Sequence, residues 1–271
     1  MRDVGACRVL LFTPGNRPER FLKAAATGSD GVILDLEDAV SLPDKDKARA
    51  TLVAFFSRPQ QGFGLRVNNI HTPAGVRDLD ALVSSKIAPD FLVLPKVESA
   101  FEIRLYAKLL SNVALVCTIE SARGLDAASE IAAADPRVRA LAFGGADLAV
   151  DLRAELAWEP MLWGRGRVVQ AAAAAGIAAI DVPHVVLDDE AGLRADAARV
   201  KAMGFSAKLA IHPKQVGPLL EIFTPTPAEV ERAAAIVAAY EAAGGNVVEY
   251  QGKMIEGPIV KSAQRILASR P

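Results

Sequence analysis

The sequence predicts an α/β fold in which eight parallel strands, separated by helices, close into a barrel. Three observations indicate this: the chain has 271 residues, it contains eight short apolar runs, and segments with helical spacing lie between those runs. About 250 residues is the usual length of such a barrel. The apolar runs are nearly continuous, as expected of strands buried on both faces. We therefore expect a (β/α)₈ TIM barrel, with an open eight-stranded sheet as the alternative.

The predicted strands and helices alternate along most of the chain. The strands are expected over Cys7–Phe12, Gly31–Leu36, Gly64–Val67, Phe91–Leu94, Ala114–Ile119, Ala140–Phe143, Ala178–Val182 and Lys208–Ile211. The helices are expected over Arg17–Ala26, Pro43–Phe56, Thr72–Ser84, Ala100–Leu110, Ala122–Ala133, Met161–Ala175 and Asp189–Met203. This alternation is typical of repeated βα units.

The pattern changes after the eighth strand. Thr226–Glu229 form a capping box with proline at the first helical position, and the helix that they open stops at Gly244. A short β-prone piece, a turn and a final amphipathic helix from about Pro258 follow. We therefore expect a barrel over residues 1–223 and a C-terminal helical arm over 224–271 that acts as a lid and an oligomer contact.

Composition indicates the class of partner and the compartment. The chain has 31 Lys and Arg against 32 Asp and Glu, and this balance indicates neither a nucleic-acid nor a membrane partner. No apolar stretch approaches the ~18 residues of a membrane span. Cys7 and Cys117 lie inside apolar runs without CxxC spacing, which is typical of buried thiols in a reducing compartment. We expect a cytoplasmic protein.

Charged residues and glycines follow nearly every predicted strand, and in barrels of this kind those positions form the active-site rim. They are Pro14–Arg17, Asp35–Asp38, Arg66–Asn68, Pro95–Glu98, Glu120–Ser121, Gly144–Asp147, Asp181–Pro183 and His212–Pro213. Charges gathered in one mouth must pair with one another, a metal or a ligand, because unpaired burial costs several kcal/mol. For any one of them alone, a rim salt bridge or a helix cap is the simpler interpretation.

Glu120 and Asp147 follow neighbouring strands, five and six. Two carboxylates with water and substrate oxygens suit Mg²⁺, with Mn²⁺ as an alternative, and the sequence has no His or Cys cluster that suits Zn²⁺. Gly144 and Gly145 let the backbone come close to a ligand, or form a tight turn.

Three bases at strand ends each have two interpretations. Arg66 can hold a substrate carboxylate in bidentate fashion, or pair with Asp35 or Asp38. Arg17 can bind phosphate at the start of a helix, or be ordinary surface charge. Lys96 can form a Schiff base, although a charged pair with a neighbouring glutamate is the simpler interpretation.

Seven segments, in order along the chain, are similar to motifs of the citrate lyase beta-subunit-like proteins of the HpcH/HpaI aldolase/citrate lyase family. They are Phe12–Ala24, Asp35–Val40, Leu65–Asn68, Leu94–Glu98, Ile119–Gly124, Phe143–Leu148 and Ile211–Pro213, and Gly252–Pro258 near the end also matches. The resemblance implies a TIM barrel, a trimer or a multiple of one, that binds Mg²⁺ and splits 3-hydroxyacyl thioesters of CoA or acyl carrier protein.

The resemblance also assigns roles to residues. It implies that Glu120 and Asp147 bind the metal, that Arg66 holds the carboxylate of the keto-acid half, and that Asp38 lies beside the metal ligands. Arg17 and Lys23 would lie near the thioester carrier, and Gly145 near the substrate.

Two positions depart from the family pattern. Ala146 stands where the family commonly has an acid, and Glu256 stands where the tail motif commonly has Asp. The tail acid resembles the proton donor to the enolate in related CoA lyases, and the arm that carries it would reach a neighbouring subunit's mouth. Glu256 is thus the expected proton donor. Because its side chain is longer than that of Asp, we expect either a shifted geometry of proton transfer or a different substrate.

The expected function is a Mg²⁺-dependent carbon–carbon lyase that converts a citramalyl-, malyl- or citryl-CoA-type thioester into an acyl-CoA and a 2-oxo acid by retro-Claisen chemistry. CoA enters as part of the substrate. The alternatives are a metal-dependent aldolase that acts on free 2-oxo acids, a carrier-dependent citrate lyase subunit without stand-alone activity, and a Schiff-base aldolase that uses Lys96.

Overall fold

Eight parallel strands close into a barrel in a computed structural model of the protein, which describes residues 3–110 and 112–269. The strands are β1 (Val9–Pro14), β2 (Gly31–Asp35), β3 (Phe63–Arg66), β4 (Phe91–Leu94), β5 (Ala114–Ile119), β6 (Val138–Phe143), β7 (Ala178–Asp181) and β8 (Ala207–Ala210). Each pairs with the next along the chain, and β1 pairs with β8. The predicted closed barrel is confirmed, and the open sheet is excluded.

Helices follow the strands. They are α1 (Phe21–Ala25), α2 (Lys45–Phe55), α3 (Pro73–Ser85), α4 (Ala100–Leu109), α5 (Ala122–Ala132), α6 (Gly145–Asp151), α7 (Trp158–Ala175), α8 (Glu190–Met203) and α9 (Val216–Phe223). The sequence pattern did not reveal α6 or α9. With seven residues, α6 is too short to show a period, and α9 is apolar along most of its length.

The first strand was predicted over Cys7–Phe12, but β1 spans Val9–Pro14, so both of its ends lie two residues later. Residues Val4–Ala6 form a 3₁₀ turn, which Asp3 caps by accepting a hydrogen bond from the Gly5 amide at 3.0 Å. The strand then runs to Pro14, which stands opposite Asp35 in the register with β2. The rim at this side of the barrel therefore begins at Gly15.

Apolar side chains fill the inside of the barrel. Leu10, Ile33, Phe91 and Val116, from four different strands, belong to one cluster in which each is at most 3% exposed. A β-carbon at Gly64 would lie 2.2 Å from the Phe91 ring, so this strand position needs glycine. The filled interior leaves the ends of the strands as the place for a site.

The chain divides into two compact units, Met1–Leu220 and Glu221–Pro271. The second contains α10 (Pro227–Ala242), a hairpin of β9 (Val248–Tyr250) and β10 (Lys253–Ile255), and α11 (Gly257–Ala268). The capping box at Thr226 is present, and a small apolar cluster joins the two helices to the hairpin. The function of this segment as a lid and an oligomer contact stays a prediction.

Two smaller expectations concern the thiols and the membrane. Cys7 and Cys117 are buried thiols, as predicted. Within the described ranges, no helix combines the length and the apolar character that crossing a membrane requires.

Candidate active site

A cleft of about 560 Å³ opens beside the C-terminal ends of β4, β5 and β6. Its lining residues are Asn69, His71, Thr72, Lys96, Glu98, Glu120, Ser121, Asp147, Val150 and Asp151. Both carboxylates predicted to bind the metal, Glu120 and Asp147, are among them. The barrel thus brings together two side chains that are 27 positions apart in the sequence.

Glu120 follows directly after β5 and is only 5% exposed. Its Oε1 accepts a hydrogen bond from the backbone amide of Lys96 at 2.6 Å. Burial, together with the negative charges of Glu37 and Asp147, raises the pKa of Glu120 to about 8. The nearby positive charge of Lys96 therefore does not fully compensate the negative charge of the Glu120 carboxylate.

The two glycines after β6 make room for different neighbours. A β-carbon at Gly144 would lie 2.4 Å from the Oε2 of Glu120, and one at Gly145 would lie 2.9 Å from the Phe143 ring. Gly144 therefore leaves space for the carboxylate, whereas Gly145 permits close packing at the start of α6. Contact of Gly145 with a substrate stays a prediction.

Lys96 lies among carboxylates that follow two strands, β2 and β6. Its Nζ is 2.7 Å from Glu37 Oε1, 3.5 Å from Asp147 Oδ1 and 3.8 Å from Asp38 Oδ1. Burial lowers the pKa of Lys96, but the hydrogen bond to Glu37 and the nearby negative charges outweigh it and raise that pKa. Lys96 thus forms a charged pair, but with Glu37 and not with Glu98, the partner expected from the sequence. Glu98 instead accepts a hydrogen bond from Ser121 Oγ at 2.8 Å.

Arg66 is held by acids of the neighbouring strand β2. Its Nε and Nη2 donate to the two oxygens of Asp35 at 2.7 and 2.6 Å, and its Nη1 lies 3.1 Å from Glu37 Oε2 and 3.9 Å from Asp38 Oδ2. The guanidinium also lies 4.6 Å from the centre of the Phe12 ring. The structure therefore shows the pairing of Arg66 with Asp35, which was one of the two interpretations, and Arg66 is not among the residues that line the cleft.

The site carries more negative than positive charge. Arg66 and Lys96 face the carboxylates of Asp35, Glu37, Asp38, Glu120 and Asp147. Burial raises the pKa of Glu37, and its buried Oε2 has no hydrogen-bond partner of good geometry among the described residues. A divalent cation between Glu120 and Asp147 would offset this excess.

The donor set fits Mg²⁺. Mg²⁺ is commonly bound through one or two protein carboxylates and keeps several other oxygen ligands. Within residues 3–110 and 112–269, no group of three or more His, Cys, Asp or Glu side chains is arranged to hold a metal, so a closed site of the structural zinc type is absent there. Glu120 and Asp147, open to a cleft, therefore suit a cation that shares its coordination with water and substrate.

Three other predicted residues are exposed, and neither Arg17 nor Lys23 is among the residues that line the cleft. Arg17 is exposed just before the 3₁₀ turn Pro18–Arg20, and Lys23 is exposed on α1. Glu256 is exposed at the N-terminal end of α11, in the second unit. Their functions stay predictions.

The expectation that every strand end points its charge into the mouth is wrong for β7. Asp181 is fully buried and accepts a hydrogen bond from Arg165 Nε at 2.9 Å, and its other oxygen accepts one from Lys208. Successive residues of a strand point to opposite faces, and the preceding Ile180 belongs to the interior cluster. Asp181 therefore faces the surrounding helices instead of the mouth.

The loop after β3 contributes cleft residues that sequence reasoning missed. Asn69 Nδ2 donates to the carbonyl of Lys96 at 3.3 Å, and the His71 amide donates to Asn69 Oδ1 at 2.8 Å. His71 Nε2 lies 3.7 Å from the buried carboxylate of Glu102. Their position shortly after a strand end, just before the N-cap residue Thr72, was the signal that could have identified them.

Taken together, a closed (β/α)₈ barrel and paired carboxylates beside two cations at its C-terminal face define a class of barrel enzyme that works with a divalent cation. Comparison with known proteins identifies the family of the chain. It belongs to the HpcH/HpaI aldolase/citrate lyase family, whose model matches residues 8–213. The resemblance found in the sequence motifs is thereby confirmed.

Three relatives match the chain over 96% of its length. The citrate lyase subunit beta of Leuconostoc mesenteroides subsp. cremoris is 32% identical, with 92% of its own length covered. An L-malyl-CoA/beta-methylmalyl-CoA lyase of Cereibacter sphaeroides is 33% identical, with 93% covered. A (3S)-malyl-CoA thioesterase of the same species is 35% identical, with 93% covered.

Two solved structures are also similar. CitE of Mycobacterium tuberculosis, in complex with magnesium, acetoacetate and coenzyme A, has a TM-score of 0.84 and 32% identity, and the match covers 98% of this chain and 99% of that one. RipC of Yersinia pestis has a TM-score of 0.76 and 41% identity, over 84% of this chain and 100% of its own.

Proposed function

We propose that this protein is a Mg²⁺-dependent carbon–carbon lyase that splits a 3-hydroxyacyl-CoA thioester into an acyl-CoA and a 2-oxo acid. The observation that carries the proposal is the convergence of Glu120 and Asp147 on one cleft, beside Lys96, at the C-terminal face of the barrel. The malyl-CoA lyase relative and the magnesium and CoA complex of CitE support the same reaction and cofactor.

The reaction moves one proton and breaks one bond. The 3-hydroxyl loses its proton, the bond between C2 and C3 breaks, the electron pair passes to the thioester as an enolate, and C2 then takes up a proton. When bound, Mg²⁺ supplies positive charge that polarises the substrate oxygens and lowers the pKa of the hydroxyl. Glu120 and Asp147 are the residues that would hold it.

The charged residues around the cleft have distinct functions in this proposal. Arg66 offers Nη1 to the carboxylate of the keto-acid half, while its bond to Asp35 fixes the orientation of the guanidinium. Lys96 adds positive charge beside Asp147. Asp38, 60% exposed and close to both bases, accepts hydrogen bonds from water or substrate at the opening.

The resemblance of the sequence motifs to the family supports the functions proposed for the residues near CoA and for the proton donor. Arg17 and Lys23 are exposed cations on the segment after β1, suited to contacts with the phosphates of the carrier. Gly145 would allow the substrate to approach the start of α6. Glu256, with an exposed carboxyl group, would deliver the proton to the enolate.

The decisive experiment is mass spectrometry of the products formed from malyl-, citramalyl- and citryl-CoA with Mg²⁺ and with EDTA. We expect an acyl-CoA and a 2-oxo acid in equal amounts, with Mg²⁺ only. Full activity in EDTA would overturn the metal-dependent mechanism. Cleavage of the free acids, without CoA, would indicate a 2-oxo-acid aldolase, and no cleavage by the purified chain would indicate a carrier-dependent subunit.

A second candidate is hydrolysis of the thioester, which the 35% identity to a (3S)-malyl-CoA thioesterase favours. Release of free CoA thiol distinguishes the two reactions, because the lyase reaction leaves the thioester intact in the acyl-CoA product. Thiol release that matches substrate loss, with free malate and no 2-oxo acid, would indicate the hydrolase.

We also propose that the protein is a cytoplasmic homo-oligomer, a trimer or a multiple of one. Exposed apolar side chains such as Leu22, Leu42 and Phe101 support subunit contacts, and the buried thiols suit a reducing compartment. Light scattering of the purified protein tests the trimer: the expected mass is three times the 28.6 kDa of one chain.

A further inference from the structure

A second cavity, of about 330 Å³, lies beside α7 and α8, away from the catalytic cleft. Residues from the segment before α7, from α7 itself, from the loop after β7 and from α8 line it, and none of them lines the catalytic cleft. Arg165, Arg199 and His184 are among the lining residues. The cavity is half open to solvent and is lined by several nitrogen donors.

Arg165 is buried but incompletely bonded. Only 5% of the residue is exposed, and its Nε donates to Asp181 at 2.9 Å. Its guanidinium lies 5.1 Å from the centre of the Phe143 ring and 4.9 Å from that of Trp158. Its two terminal nitrogens have no acceptor among the residues that the structure describes, and the side chain lines the cavity. A guanidinium that one carboxylate and two rings hold in place, with two nitrogens accessible from the cavity, favours an oxyanion partner.

Arg199 adds a second cation to the same indole. Its guanidinium carbon lies 3.7 Å from the centre of the Trp158 ring, and no carboxylate pairs with it within residues 3–110 and 112–269. Two guanidinium groups beside one ring repel each other unless an anion or solvent screens them. Arg199 is exposed, so it can reach a ligand from the open side.

The remaining charges leave the cavity positive. Lys208 donates to Asp196 at 2.6 Å and also to Asp181, so these three groups carry one negative charge in excess. Among the residues that line the cavity, Arg165 and Arg199 carry two positive charges and Asp196 one negative charge, which leaves one positive charge in the lining. His184 lines the same cavity. Its buried Nε2 has no hydrogen-bond partner in the described part of the chain and stands 3.6 Å from Oδ2 of Asp189, a carboxylate outside the lining.

We propose that this cavity is a second ligand site, which binds the carboxylate or phosphate group of a small anion between Arg165 and Arg199. Both chemistries offer oxygens at the spacing of a guanidinium fork. The volume is at the lower end of ordinary ligand pockets, roughly 300–1,000 Å³. Leu156 and Val182 line the cavity and also pack beside Gly145, so a bound anion touches the segment next to the helix that carries Asp147.

Fluorescence of Trp158 tests the site directly. The chain has two tryptophans, and Trp163→Phe removes the other one, so that the remaining emission reports on the ring between the two arginines. Inorganic phosphate and malonate are titrated separately into the full chain in Mg²⁺-free buffer at constant ionic strength, with chloride as the reference anion. We expect a saturable change in emission with at least one of them and none with chloride.

Two variants and one control complete the test in the same background. Arg199→Gln should weaken binding about tenfold or more, because a charge-assisted hydrogen bond is lost. Ala195→Glu, which places a negative charge on the cavity lining, should abolish it. Arg104→Gln, at an exposed arginine of α4 outside the cavity, should leave the affinity unchanged.

The outcomes separate the ligand classes. Saturation with phosphate alone assigns the site to phosphate-bearing ligands, and saturation with malonate alone assigns it to carboxylates. No saturable change with either anion, or equal affinity in Arg199→Gln and the parent, would overturn the proposal. These binding measurements do not depend on lyase activity. Failure of the proposed anion site would therefore leave the proposed lyase function untouched, and failure of the lyase function would leave the anion site untouched.

Discussion

Gly144 and Glu120 lie so close together that a β-carbon at position 144 would stand 2.4 Å from both the β-carbon and the Oε2 of Glu120. The two residues follow neighbouring strands, β6 and β5. The φ angle of Gly144 is −98°, which any residue can adopt, so the need for glycine here is steric. The hydrogen at this position is what allows the Glu120 carboxylate to occupy its place in the cleft.

Gly144→Ala should therefore weaken Mg²⁺ binding by displacing Glu120. We expect a loss of affinity of about 10- to 100-fold, comparable to losing a residue that orients a metal ligand. Overpacking should also lower the free energy of unfolding by about 1–3 kcal/mol. Calorimetric titration with Mg²⁺ measures the first effect, and urea unfolding measures the second.

Gly166→Ala is the matched control. Gly166 lies within α7, and a β-carbon there meets nothing within 4 Å. The substitution should raise the free energy of unfolding by about 0.5–1 kcal/mol, the usual helix preference for alanine. Unchanged Mg²⁺ affinity in Gly144→Ala would show that Glu120 does not bind the metal from its observed position.

Glu120→Gln and Asp147→Asn should each remove Mg²⁺-dependent turnover. Several kcal/mol of transition-state stabilisation depend on the metal, so we expect kcat to fall about a thousandfold or more. Dialysis against EDTA should have the same effect on the wild type, and added Mg²⁺ should restore it. Steady-state kinetics with the best substrate of the thioester panel measures these changes.

Thermal unfolding distinguishes metal loss from misfolding in these variants. Mg²⁺ should raise the melting temperature of the wild type and of Glu130→Gln, which replaces an exposed carboxylate on α5, but not that of Glu120→Gln. A normal Mg²⁺-induced shift in Glu120→Gln would contradict the assignment of this residue as a ligand.

Lys96 should not form a Schiff base. Its ammonium group lies among Glu37, Asp38 and Asp147, and these carboxylates stabilise the charged form that cannot attack a carbonyl. Borohydride added with substrate should therefore leave the mass of the protein unchanged. A covalent adduct on Lys96, located by peptide mass spectrometry, would establish the Schiff-base route instead.

The ion pair of Asp30 at the opposite end of the barrel should make stability depend on pH. Asp30 accepts hydrogen bonds from the side chain and the amide of Arg8. Burial raises the pKa of Asp30, but the bonds from Arg8 outweigh it and lower the pKa below its ordinary value. A lowered pKa means that the stabilisation is fully present above about pH 4, the pKa of an unfolded Asp, and is lost as pH falls through the folded value.

Asp30→Asn tests this dependence by urea unfolding across pH 3 to 7. At neutral pH the variant should be less stable by about 2–4 kcal/mol, because Arg8 loses the charge of the Asp30 carboxylate in a mostly buried pair. The difference from the wild type should shrink as the pH falls below about 4. Asp80→Asn, at an exposed position on α3, should differ from the wild type by less than about 0.5 kcal/mol at every pH.

Local patterns were sufficient for most of the barrel. Continuous apolar runs identified all eight strands, and the capping box at Thr226 correctly marked the start of α10. They were insufficient where a segment is short or uniformly apolar, as with α6 and α9, and where a local turn displaced β1. The seven residues of α6 are too few to show a helical period, and α9 lacks a polar face. The later start of β1 follows from the turn that Asp3 caps.

The site was partly predictable because strand ends of a parallel barrel meet at one face. This rule identified Glu120, Asp147, Lys96 and Arg66 as neighbours. It could not determine which acid pairs with which base, because that depends on side-chain directions. Asp181 follows the same rule in sequence but faces the helices, where it pairs with Arg165 and Lys208.

The amino-acid sequence by itself determined the eight-stranded barrel, the capped tail helix and the set of charged strand ends, since each depends on periodicity and residue type over a few neighbours. Only the tertiary structure decided that Arg66 is held by Asp35, that Gly144 clears the space for Glu120, and that Arg165 and Arg199 meet at one indole ring. These are distances between residues far apart in the chain, and they are set by how strands and helices pack.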